Sequence, residues 1–171
     1  MFYLDTDVIL AYNYETEVQH WRAINLIKDI EGGKFYTSPF AIVELYCTVS
    51  RDINNICIQV KHLRKQKEEI KVKTVVEYVI RSLNLTVCSD GVANEEIEWL
   101  GVKVFSKYFD AIKLAPKVKL RTGDLLHVAY AWQLKNEGKI GYLVSLDDDF
   151  QERNEVIENE TGIKLLPNNL Q

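Results

Sequence analysis

The sequence predicts an α/β fold with a central, mainly parallel sheet and helices on both faces. Short apolar runs alternate with amphipathic helical stretches along the chain, the pattern of right-handed βαβ units. The run at 140–145 is apolar throughout, as in a strand covered on both sides. Two strands, ending near Leu4 and Ser145, run directly into aspartates.

Residues 1–4 read as a strand, with Asp5 or Thr6 placed to cap a helix that carries Val8, Ile9 and Leu10. Val18, Trp21, Ile24, Ile27 and Ile30 then recur at helical spacing until Gly32 and Gly33 end the pattern. Residues 34–37 form a second short strand, and Ser38-Pro39 opens a helix over about 40–51, with proline near its favoured first turn. From 52 to about 83 the text is amphipathic and helical, its charged stretch at 61–69 set for a solvated face. Residues 85–88 form a third strand. Ser89 and Asp90, with Glu95 and Glu96 shortly after, predict a helix reaching about Leu114 and broken at Pro116. A largely apolar helix begins near Thr122 and stops at 136–138; the strand at 140–145 follows, and 162–166 adds an edge strand. With no repeat or linker, residues 1–171 are expected to form one domain.

The chain is 47% hydrophobic and 27% charged, enough for one domain to bury its own core. A net charge of −4 argues against a protein that coats nucleic acid by bulk attraction alone. It does not exclude a nuclease, because carboxylates awaiting metal lower the sum. Cys47, Cys57 and Cys88 are odd in number and widely spaced, which argues against a disulfide framework or zinc knuckle. With no basic leader before Phe2 and no apolar stretch long enough to cross a bilayer, the expectation is a cytoplasmic protein with no membrane partner.

Four acids stand out: Asp5, Glu44, Asp124 and Asp147. Asp5 and Asp147 follow strands, where ligands bind in open parallel sheets. Glu44 interrupts an apolar helix, and Asp124 lies in the first turn of another, so both carboxylates face desolvation. Each alone has an ordinary explanation: Asp5 and Asp147 as caps, Asp124 as a first-turn acid, Glu44 as a structural acceptor. Together they repel one another unless a cation is present. A shared metal accounts for all four, and oxygen ligands select Mg²⁺ or Mn²⁺ over zinc. His20, His62 and His127 lack zinc-type spacing.

Four blocks, taken in order, carry a family resemblance: Leu4-Asp5-Thr6-Asp7-Val8, Val43-Glu44-Leu45, Gly123-Asp124-Leu125-Leu126-His127, and Ser145-Leu146-Asp147-Asp148-Asp149-Phe150. Their order and spread over nearly the whole chain resemble the PIN domain family, most closely its VapC-like ribonuclease toxins. The resemblance implies a three-layer α/β/α fold and a Mg²⁺- or Mn²⁺-dependent endoribonuclease. It places Asp5, Glu44, Asp124 and Asp147 on the family's four acidic positions. Asp7 and Ser145 take supporting roles there, with Asp149 the alternative fourth ligand. RNA as substrate, a small antitoxin partner and a homodimer are implied as well. The stretch from Asp52 to Arg121 is longer than in compact members. A housekeeping nuclease of RNA maturation and a catalytically silent binding module remain the alternative roles for the same fold.

Lys113, Lys117, Lys119 and Arg121 precede Asp124 and are candidate contacts to backbone phosphates, with a solvated surface as the competing reading. His127 lies three residues after Asp124 on an apolar helix, and its neighbours favour packing over ligation. Tyr12, Tyr14, Trp21, Tyr130 and Trp132 sit in apolar periodic text and read mostly as core.

Overall fold

A computed structural model describes residues 1–56, 63–89 and 96–167. Its strands are β1 (Phe2–Leu4), β2 (Phe35–Thr37), β3 (Thr86–Val87), β4 (Glu96–Trp99), β5 (Val102–Phe105), β6 (Tyr142–Val144) and β7 (Lys164–Leu166). Its helices are α1 (Thr6–Asn13), α2 (His20–Asp29), α3 (Pro39–Ile56), α4 (Glu68–Ser82), α5 (Ser106–Val118), α6 (Thr122–Asn136), α7 (Asp148–Glu152) and α8 (Asn154–Thr161).

Five strands make one parallel sheet in the order β3-β2-β1-β6-β7. Alternation along the central strands decides the layers, because successive side chains leave a strand on opposite faces. Tyr3 and Leu4 of β1 are both fully buried, yet they enter different cores. Leu4 and Val144 join residues of α1, α2, α3 and α4 on one face; Tyr3 and Leu143 join those of α5, α6 and α8 on the other. The result is the three-layer architecture expected.

From β1 the chain winds outward through β2 to β3, and then returns to place β6 on the opposite side of β1. The winding therefore reverses between β1 and β6, and a crevice opens outside their carboxyl ends. The Asp5 amide donates to the Val144 carbonyl at 3.0 Å and the Ser145 amide to that of Leu166 at 3.1 Å. These bonds continue the ladder one residue past each strand and set Asp5 beside Ser145 at the crevice.

Three expectations are corrected. The helical text from 52 to 83 is divided: α3 runs on to Ile56, a 3₁₀ turn spans Leu63–Lys65, and α4 starts only at Glu68. Cys57 and residues 61 and 62 of the charged stretch lie outside the described residues, as do Asp90 and Glu95, while 65–69 are exposed as expected. The helix expected from Ser89 to about Leu114 forms only from Ser106, as α5; residues 96–105 are instead an antiparallel hairpin of β4 and β5. Its two-residue turn, Leu100-Gly101, has both residues at positive φ, 52° and 78°, matching the right-handed twist of the flanking strands. Ile97 pairs with Val104 on the half-buried face and Glu98 with Lys103 on the exposed one, a period-two pattern that competes with the helical one. Finally, Pro116 does not break α5 but lies within its last turn, and the Lys119 amide closes the helix on the Ala115 carbonyl at 3.1 Å. No helix among the described residues is long and apolar enough to cross a membrane.

Candidate metal centre

Asp5 leaves β1 and caps α1, its Oδ1 accepting the Thr6 amide at 2.6 Å while Oδ2 accepts the Ser145 hydroxyl at 3.0 Å. Only 6% of the residue is exposed. Two residues on, Asp7 Oδ2 accepts the Leu146 amide at 2.9 Å, which ties the first turn of α1 to the chain leaving β6. Burial, then the charge of Asp5, raises the Asp7 carboxyl well above the usual 3.8, although amides of Leu146 and Val8 offset part of this.

Glu44 enters from α3. Ser38 starts that helix, its Oγ accepting the Ala41 amide at 3.0 Å, with Pro39 at the first helical position. Ala41, Leu45, Val49 and Ile53 form the buried stripe of α3, leaving Glu44 on the flank that faces the crevice. Its Oε2 accepts the Thr6 hydroxyl at 2.6 Å and lies 2.7 Å from His127 Nε2. Burial raises this carboxyl, but the His127 and Thr6 contacts outweigh it and the net shift is downward.

His127 is buried, as the sequence predicts, but its surroundings are not only apolar. Its Nε2 lies 2.7 Å from Glu44 and 3.0 Å from Asp5 Oδ1, and its Nδ1 lies 2.8 Å from the Tyr3 hydroxyl oxygen. The Tyr3 hydroxyl also meets Ser38 Oγ at 2.8 Å, and Nε2 faces the carboxylates as a donor. Burial opposes a positive charge on the ring, yet Asp5 and Glu44 prevail and raise the imidazole above 6.5. Thr6, Tyr3, Ser38 and the bridging role of His127 were not found from sequence. The only clue was the polar Thr6 and His127 set in apolar helices.

Asp124 sits in the first turn of α6. Burial, then Asp5 and Asp147, push its carboxyl up to about 6. Its Oδ2 is buried and meets no hydrogen-bond donor, an unpaired state that costs free energy. Asp147 caps α7 by accepting the Asp149 amide at 2.9 Å, and its own amide donates to Ser145 Oγ at 3.2 Å. Asp149 points elsewhere, pairing with Arg121 at 3.1 Å. Of the basic loop, Lys117 is paired with Glu160 and Lys113 with Asp110; Lys119 terminates α5 in the left-handed conformation.

Asp5, Asp7, Glu44, Asp124 and His127 line a cleft of about 670 Å³, continued along α3 by Cys47, Thr48 and Arg51. None of Lys113, Lys117, Lys119 or Arg121 lines it. Donor atoms of Asp5, Glu44 and His127 fall within 4.8 Å of one another. His127 Nε2 faces both carboxylates and, when protonated, offsets their charge. Mutually repelling carboxyls and an orphaned Asp124 oxygen fit a hard divalent cation.

No curated protein matches the chain in sequence. Among solved structures, VapC20 of Mycobacterium tuberculosis, described as a sarcin-ricin loop cleaving toxin, superposes with a TM-score of 0.56 at 12% identity, covering 89% of this chain and 94% of that one. VapBC2 of Rickettsia felis, solved bound to a DNA fragment from its promoter, gives 0.53 at 15% identity, covering 96% and 97%. At such identities the likeness is one of fold. The family follows from the sequence itself, whose residues 2–156 match the PIN domain model and include every acid of the cleft: the chain belongs to the PIN domain family.

Proposed function

We propose that residues 1–171 act as one domain, a divalent-metal-dependent endoribonuclease that hydrolyses RNA phosphodiester bonds, and that it is the toxin of a VapBC-type pair. The observation that carries the hydrolytic reading is Asp124 Oδ2, buried and unpartnered beside Asp5 at the sheet's switch point in a PIN domain. Asp5, Glu44, Asp124 and Asp147 are the proposed ligands for Mg²⁺ or Mn²⁺. When bound, such a cation would supply Lewis-acid polarisation of the phosphoryl group and activation of a water for attack. The chain's own residues hold the acids in place. Ser145 bonds Asp5 and receives the Asp147 amide, Thr6 bonds Glu44, and His127 balances the charge of Asp5 and Glu44. Asp7 anchors the loop after β6, and Asp149, engaged by Arg121, is the lesser candidate for the fourth acid.

Cleavage of unstructured RNA should require Mg²⁺ or Mn²⁺, stop in EDTA, and be abolished in Asp5→Asn and Asp124→Asn. Full activity in EDTA or in either variant would overturn the reading. The choice of RNA, a small antitoxin, a homodimer and a cytoplasmic site of action rest on the family resemblance. Expression should arrest growth, with relief by a small co-encoded protein. Harmless expression of an active enzyme would redirect the role to RNA maturation.

A further inference from the structure

Among the described residues that line the cleft, Arg51 is the one side chain of fixed positive charge. It lies on the same flank of α3 as Glu44 and Thr48, seven and three residues after them, spacings that a helix of 3.6 residues per turn stacks into one stripe. Its guanidinium is exposed, and its Nη2 donates to Thr48 Oγ1 at 3.3 Å. It makes no ion pair with a described residue, whereas Arg121, Lys117 and Lys113 are each taken by an acid. The helix continues to Ile56, so Arg51 stands more than a turn from the carboxyl end and the helix dipole does not account for it.

We infer that Arg51, with the Thr48 hydroxyl beside it, is a docking point for a backbone phosphate of the substrate strand, away from the scissile bond. This rests on the nuclease reading above. Seven residues of helix separate Glu44 from Arg51 by about 10.5 Å along the axis. A stacked strand rises about 3.4 Å per nucleotide, so the phosphate held is about three nucleotides from the bond cleaved. A guanidinium suits this task because its paired N–H groups match two phosphate oxygens. An otherwise acidic cleft also needs a cation to fix the direction in which the strand lies.

The test is steady-state cleavage of an unstructured RNA in Mn²⁺ by the full chain, over a range of salt. Arg51→Ala should raise KM about tenfold, as for loss of a charge-assisted hydrogen bond, and leave kcat nearly unchanged. Its dependence of log(kcat/KM) on log salt should be shallower by about 0.7, one phosphate contact on a single strand. Arg51→Lys should recover part of the KM but not all. Cys47, exposed on the same stretch of lining, gives a readout independent of turnover: RNA should shield it from iodoacetamide in the wild type and less in Arg51→Ala. Unchanged KM, slope and shielding in a wild type that cleaves would overturn the phosphate contact alone, as would a loss confined to kcat. A wild type that neither cleaves RNA nor is shielded by it would overturn both readings.

Discussion

Replacing Asp124 with asparagine should stabilise the metal-free protein while removing its response to metal. The carboxyl is held at about 6 against an ordinary 3.8, roughly two pKa units or about 3 kcal/mol for a fully desolvated group. The residue is half-buried, so solvent screening leaves about 1 kcal/mol. Asparagine keeps the shape and removes the charge, and for a domain of this size that amount raises Tm by about 2–4 °C. The sign follows from linkage. A carboxyl raised on folding contributes stability that is complete below pH 3.8 and lost as pH rises through about 6. The variant's advantage should therefore grow across that window and level off above it. The assay is thermal melting at pH 7.5 in EDTA and again in saturating Mn²⁺. Metal at a hundredfold excess over Kd adds about 2.7 kcal/mol to the wild type and much less to the variant, so the order of the two melting temperatures should invert. A variant that melts below the wild type in EDTA, or gains as much from Mn²⁺, would refute the reasoning.

His127→Gln should cost on the order of 3 kcal/mol, because it strips a hydrogen-bonding partner and counter-charge from buried Asp5 and half-buried Glu44. The imidazole is raised above 6.5, so the stability it gives is complete below pH 6.5 and lost on passing its folded pKa. Urea midpoints at pH 6 and pH 9 should thus differ more at the lower pH, and an equal gap would count against the imidazolium. Asp147→Asn should lower kcat/KM by about 10–100-fold. Asp149→Asn, which loses an exposed pair with Arg121, should change it by no more than about fivefold; the reverse ranking would move the fourth acid to Asp149. Gly33→Ala should cost about 1–3 kcal/mol, since a Cβ there would lie 2.5 and 2.8 Å from ring carbons of Phe2, which stacks on Tyr142. Urea denaturation at wild-type midpoint would refute that clash.

The strand-to-aspartate junctions at Leu4-Asp5 and Ser145-Leu146-Asp147 were legible because parallel strands are apolar without alternation and end abruptly in polar residues. Asp124 and Glu44 were legible because carboxylates are costly in apolar helices. The hairpin around Leu100-Gly101 was not. Acidic residues at Asp90, Glu95 and Glu96 imitate a helix start, and four-residue strands give too few periods to outweigh that signal. Pro116 misled because a proline in a last turn forfeits only one bond near an end that is already loosely tied. The partners of His127 were hidden for another reason. Helical text shows that residue 127 is near 124, but contact with Tyr3 and Glu44 depends on where two other elements arrive. The same holds for Arg121 and Lys117, whose charge is legible and whose pairing with Asp149 and Glu160 is not.

The pairing of β1 with β6 joins residues 2–4 to residues 142–144, and this bears on when activity can arise. At about 5–20 residues per second, synthesis from Asp5 to Asp147 takes on the order of ten seconds. Throughout that interval Asp5 lacks the Ser145 hydroxyl and Asp7 lacks the Leu146 amide. A chain still being translated therefore cannot complete the acid cluster at the crevice until residues 142–147 have emerged.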